Sequence, residues 1–156
     1  MPFIKIIDSI LEKILIFLMS ILVFDVLWQV IGRYILNSPS SFTDEMAGFI
    51  LIWLGLLGAA YVSGKKEHLA IDILLQKLNP KRQRIINIFI DFIIILFALS
   101  VLIIGGMWLV YTRFILEVKS PALGISMGYI YFVLPLSGAL ILYYALDSLL
   151  INIKST

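Results

Sequence analysis

The stretch SPSSFTDEMAGFILIWLGLLGAAYVSG, Ser38 to Gly64, decides the fold. From Met46 to Gly64 it runs for 19 residues without a charge, and a helix needs about 20 mostly apolar residues to cross a bilayer. Two adjacent acids, Asp44 and Glu45, stand directly before the run. The remainder of the chain repeats the pattern. Ile14 to Gly32 is apolar apart from Asp25 and Gln29 at its core, and Ile85 to Thr112 holds a single acid, Asp91. Ser120 to Leu146 carries no charge, and its helical part is expected from about Met127.

Composition agrees. Of 156 residues, 62% are hydrophobic and 14% charged, where a soluble domain is nearer half apolar and about a quarter charged. These values predict an all-α integral membrane protein, one domain over 1–156, with four transmembrane helices near 10–36, 43–64, 82–112 and 127–150. A net charge of +2 argues against nucleic-acid binding. The absence of cysteine excludes disulfides, thiolate metal sites and cysteine nucleophiles. With one histidine, His68, the chain has no pair for bis-histidine haem. No cofactor and no catalytic site are expected. Lys5 and Lys13 precede the first apolar run as in a signal peptide, but no small-x-small cleavage site follows. The run reads as a retained span.

Lys and Arg set the expected orientation. Nine of them fall in the N-terminal segment, in the loop between spans 2 and 3, and in the C-terminal tail. Only Arg33, Arg113 and Lys119 fall on the other side. The positive-inside rule then puts both termini and the central loop in the cytoplasm, with Asp44 and Glu45 facing outward. Within the central loop Ile71, Leu74, Leu75 and Leu78 recur at helical spacing. A short amphipathic helix over about 69–79, lying along the cytoplasmic interface with His68 at the headgroups, fits this pattern. Asn79-Pro80 reads as an N-cap and first-turn pair for span 3. Counted to Arg113, that span is roughly 50 Å long at 1.5 Å per residue. It must therefore tilt or project beyond the hydrocarbon.

Each chemistry-bearing group has a plain packing reading beside a sharper one. Ser41-x-x-Asp44 resembles a capping box, and acids in a first turn complement the helix dipole. The sharper reading makes Asp44 and Glu45 a contact for a partner protein. Asp25, Gln29 and Arg33 lie at i, i+4 and i+8, a polar stripe on an apolar helix. Asp25 is roughly 18 Å beyond the Lys13 boundary, where an ionisable group faces protein or water. A polar helix–helix contact or a partner contact accounts for it. Asp91 lies near the cytoplasmic end of span 3, with Arg84 as its expected mate. Gly48, Gly55 and Ala59 share a face of span 2 that allows close helix approach. Trp53 is too central for an interfacial belt and suits a buried contact. Pro135 predicts a kink in span 4.

A self-sufficient secondary transporter brings inverted repeats and broken helices at the midplane. Four spans with one proline break read instead as a helper component. Here a resemblance becomes specific. Residues 32–74 are similar to the small membrane subunit, Q-type or DctQ-like, of tripartite ATP-independent periplasmic (TRAP) transporters. The pattern is Arg33-Tyr34, Asn37-Ser38-Pro39, Thr43-Asp44-Glu45, Gly55 to Ala59, and Lys66-Glu67-His68 leading to Ile71-Asp72. Phe42 stands where the family often has tryptophan. The resemblance implies a large multi-span permease subunit that carries the substrate and sodium sites. It also implies a periplasmic substrate-binding protein that delivers a carboxylate or an acidic sugar. The small subunit then braces the fixed scaffold of an elevator-type machine in the bacterial inner membrane, in contact with membrane lipids. Two other classes compete. One is a self-associating four-span exporter resembling small multidrug transporters, with Asp25 coupling protons. The other is a quinone- or haem-bearing respiratory anchor. The long basic loop argues against the first, and the lone histidine against the second.

Overall fold

In the computed structural model the described residues are 2–38, 40–65 and 79–154. Helix α1 covers Pro2–Tyr34 and α2 covers Ser41–Lys65. The third span is helical throughout but in three parts: α3 (Pro80–Phe97), a π-helical stretch (Ala98–Gly105) and α4 (Gly106–Ile115). The fourth is α5 (Met127–Tyr131) followed by α6 (Val133–Lys154). Four of these units are long and apolar enough to cross a membrane. No strand forms among the described residues beyond one isolated antiparallel bridge, Lys119 to Ser126. The amphipathic segment with His68, Ile71, Leu74, Leu75 and Leu78 lies outside the described residues.

Local sequence accounts for the ends. After α1 the chain curls back: the Leu36 N–H donates to the Ile31 carbonyl at 3.1 Å and the Ser38 N–H to Gly32 at 2.9 Å. Asn37 takes φ 50°, a left-handed conformation that asparagine tolerates. Asn79 occupies the cap of α3 and Pro80 its first turn, but the Asn79 side chain makes no capping bond. Its backbone carbonyl takes the Arg82 and Gln83 N–H groups at 2.9 and 3.0 Å. Ser126 does cap α5, its Oγ accepting from the Gly128 N–H at 3.3 Å.

Helix α6 is the hub, packing against α2, α3 and the π-helical stretch, while α1 lies along α2. In the most apolar part of the fourth span, Met127–Ile153, 44% of residues are buried, against 11–17% for the other spans. The core joins Leu11 of α1, Leu57 of α2, and Val133 and Tyr144 of α6. Two glycines allow the third and fourth spans to approach closely. A Cβ at Gly106 would lie 2.9 Å from Leu134 Cβ, and one at Gly138 only 2.7 Å from Leu102 Cβ.

Both interruptions have identifiable chemistry beside them. The fourth span breaks at Phe132, three residues before Pro135. Proline has no N–H for the carbonyl four residues earlier, and its ring crowds that turn. In the third span the wide turns run up to Gly105-Gly106, and Ser100 Oγ donates back to the Leu96 carbonyl at 2.7 Å. The hydropathy pattern gives no sign of this stretch, because a π-turn changes hydrogen-bond register without changing composition.

Candidate functional site

Polar side chains gather where the two interhelical hairpins meet, at the α1–α2 turn and the α4–α5 connection. Helical spacing places Asp25, Gln29 and Arg33 on one side of α1. The Gln29 amide donates to Asp25 Oδ2 and to the Thr43 carbonyl of α2, both at 2.9 Å. Asp25 is 5% exposed and Thr43 7%. Thr43 Oγ1 donates to the Ser40 carbonyl at 3.0 Å. The first two members of the stripe thus tie α1 to the start of α2 within this chain. The third, Arg33, pairs with Asp44 at 3.7 Å with both side chains about half exposed.

Glu45 turns the other way. Its Oε2 accepts from the Ser120 hydroxyl and from the Ala122 and Leu123 N–H groups, the latter two at 3.1 and 3.4 Å. Ser120 is buried and its Oγ takes a further bond from the Leu123 N–H at 3.1 Å. This second hairpin is closed by the Ser120 N–H to Ile125 carbonyl bond at 2.9 Å, with Gly124 at φ 68°. One carboxylate therefore pins the second hairpin to the N-terminus of α2. A carboxylate whose one oxygen takes two backbone N–H groups and a hydroxyl acts as a structural anchor.

The small residues of α2 divide into two faces. Ala60 is fully buried, and a Cβ at Gly64 would meet the Tyr144 ring at 2.7 Å. Ala60-x-x-x-Gly64 is thus used inside the chain. Gly55-x-x-x-Ala59 points out: both residues are exposed, and Gly48, Gly55 and Gly58 have open space where a Cβ would stand. Beside this face an apolar groove of about 710 Å³ runs between α1 and α2, lined by Met19, Val23, Phe24, Leu54, Gly58 and Val62 among others. Trp53, on the inner side, donates its indole N–H to the Ile130 carbonyl at 3.0 Å, five residues before Pro135.

At the opposite end the polar ties are again internal. Tyr144 donates to Asp8 Oδ1 at 2.6 Å, joining α6 to α1. Asp91 accepts from the Asn152 amide at 2.9 Å. Arg84, expected beside Asp91, reaches the Asn152 and Ile153 carbonyls at 2.7 and 2.6 Å, where the end of α6 leaves acceptors open. Sequence reasoning missed Asp8 and Ser120. Asp8 stands three residues before the buried Leu11, on the same helical row, and that spacing was the available signal. Ser120 gave none beyond its place in a Ser-Pro turn. Among the described residues no group of three or more His, Asp or Glu gathers as a metal site would require.

Fold and site together define a multi-pass helical membrane protein whose polar groups hold helices and hairpins in place. The sequence matches the family described as "Tripartite ATP-independent periplasmic transporters, DctQ component" over residues 21–154, and the chain belongs to that family of non-enzymatic transport subunits. It is 34% identical over 124 residues to a TRAP transporter small permease protein of Haemophilus influenzae, covering 80% of this chain and 73% of the relative. It is 28% identical over 145 residues to the sialic acid TRAP transporter small permease protein SiaQ of Vibrio cholerae, covering 93% and 82%. It is also 25% identical over 127 residues to the sialic acid TRAP transporter permease protein SiaT of Haemophilus influenzae. That match takes 81% of this chain and 20% of the longer relative.

Proposed function

We propose that this small permease subunit braces the fixed scaffold of a large TRAP permease subunit, through the open face of α2. The observation that carries the reading is the row of half-buried Gly48 and exposed Gly55 and Ala59, with free space above each glycine and an apolar groove alongside. Small residues admit a second helix at short range, and van der Waals contact is the main attraction between helices in lipid. Support for a large partner comes from SiaT, where the matching region is a fifth of one longer permease protein. Asp25 and Gln29 contribute indirectly, by fixing α1 against α2. Arg33 and Asp44, exposed at the hairpin, supply a surface on which a periplasmic substrate-binding protein docks. The cargo class is a carboxylate or acidic sugar, taken up across the inner membrane with sodium.

Leucine at both Gly55 and Ala59 tests this. The variant chain is expected to keep its own thermal unfolding midpoint, since Gly55 has open space where a Cβ would stand and Ala59 is exposed. Recovery of the large subunit in an affinity pull-down in mild detergent is expected to fall by at least about tenfold, equivalent to ~1.4 kcal/mol. Undiminished recovery would remove α2 from the interface.

A further inference from the structure

Arg113 stands in the last turn of α4, at the end of the third span. Helical side chains lean toward their helix's N-terminus, here toward the hydrocarbon, and the Arg113 guanidinium lies over the Tyr131 ring, 5.8 Å from its centroid. Its Nε is sealed from solvent without a hydrogen-bond partner, and among the described residues no other buried side-chain nitrogen or oxygen is left so. The carboxylates of this end are committed elsewhere or stand away. Asp44 pairs with Arg33, Glu45 holds the second hairpin, and Glu117, one turn beyond Arg113, is exposed and forms no ion pair with it. Among the described residues this permanently charged group has an aromatic ring beside it and no acceptor for its Nε.

The surroundings select the anion. Trp108, Tyr111, Phe114, Tyr129 and Phe132 are all exposed around this end of the third and fourth spans, and aromatic residues in that position sit at headgroup level. A ligand that suits both features has a compact negative head and apolar tails. We propose that Arg113, steadied by Tyr131, binds the phosphodiester of a membrane phospholipid whose acyl chains lie on this aromatic surface. The guanidinium offers the Nη nitrogens to two phosphate oxygens, the fork geometry that suits arginine to phosphate, while the ring restrains its orientation.

Native mass spectrometry of the full chain, delipidated in mild detergent, reads the site directly. Three probes are added in turn: phosphatidylglycerol, a monogalactosyl diacylglycerol with the same tails and no phosphate, and inorganic phosphate. The wild-type chain is expected to bind one phosphatidylglycerol about tenfold more tightly than the sugar lipid and to show no adduct with phosphate alone. Arg113→Gln is expected to abolish that preference, Arg113→Lys to keep part of it, and Lys119→Gln, an exposed cation on the same hairpin, to leave it intact. Equal binding of the two lipids by wild type, or an undiminished preference in Arg113→Gln, overturns the proposal. Phosphate alone binding as well as the lipid marks a free-anion site and overturns it too. So does an Arg113→Gln chain that keeps its lipid but no longer recovers the large subunit, since the acceptor is then a partner's carboxylate. Circular dichroism separates loss of binding from loss of fold, and Arg113→Lys carries the test if the glutamine variant unfolds.

Discussion

Glu45 collects three donors from one hairpin, while its neighbour Asp44 meets a single arginine in a half-exposed setting. Removing each carboxylate therefore has a different consequence. Glu45→Ala leaves a hydroxyl and two N–H groups without their acceptor. It is expected to lower the midpoint of thermal unfolding by several degrees, followed by tryptophan fluorescence in detergent. Ser120→Ala is expected to give part of that fall, and the double variant less than the sum, because the two share one network. Asp44→Asn is expected to leave the midpoint nearly unmoved, since exposed ion pairs contribute about 0–1 kcal/mol. An equal effect from the two acids would mean that the hairpin is held by something other than Glu45. The sequence shows two acids at a helix start and the dipole reason for them. It does not show that one points in and one out, because that depends on where residues 120–123 fold, more than seventy positions away. The same limit applies to Asp25 and Gln29. Their spacing announces a stripe on α1, but the Thr43 carbonyl that receives Gln29 belongs to another helix.

Among the elements, glycine shows how a motif can be legible while its direction is not. Gly55-x-x-x-Ala59 and Ala60-x-x-x-Gly64 look alike in sequence and lie on different faces of α2. A one-dimensional pattern carries no record of which face meets Tyr144. The structure separates them, and glycines that face a neighbouring helix are predicted to respond oppositely to those that face open space. Gly138→Ala puts a Cβ 2.7 Å from Leu102 Cβ and 3.0 Å from Ile103 Cγ1, so the third and fourth spans must move apart. Overpacking of this kind costs about 1–3 kcal/mol, and the unfolding midpoint is expected to drop. Gly55→Ala meets open space and exchanges the most flexible residue for the best helix former, worth up to about 1 kcal/mol in a helix interior. It is expected to leave the midpoint unchanged or raise it. Trp53→Phe removes the donor to the Ile130 carbonyl beside the proline break, a loss of about 1 kcal/mol. If that change leaves the midpoint where it was, the indole bond adds nothing at the break.

For the whole molecule, hydropathy was enough to count four spans, because burial in lipid demands long apolar helices whatever their packing. What lies against those helices was not legible: the bonds of Glu45, Trp53, Tyr144 and Asp91 all run to residues more than sixty positions away, and the partner proposed for the open face of α2 lies outside this chain. The expected orientation stands between these cases, since it rests on counting. Nine of the twelve Lys and Arg residues lie on the side of both termini and the central loop, and an imbalance of that size sets topology through the short loops that bear it. The chain contains no cysteine, so single cysteines can report on orientation without background. Lys119→Cys, exposed on the hairpin held by Glu45, is expected to react with a membrane-impermeant maleimide in intact spheroplasts. Thr156→Cys is expected to react only after permeabilisation. The reverse result would place Arg33 and Asp44 in the cytoplasm, out of reach of any periplasmic protein, and the docking role proposed for that hairpin would go with it. Labelling of both positions in intact cells would instead put Lys119 and Thr156 on one side, leave an even number of crossings between them and break the four-span topology. The two-site experiment therefore tests orientation and span count together.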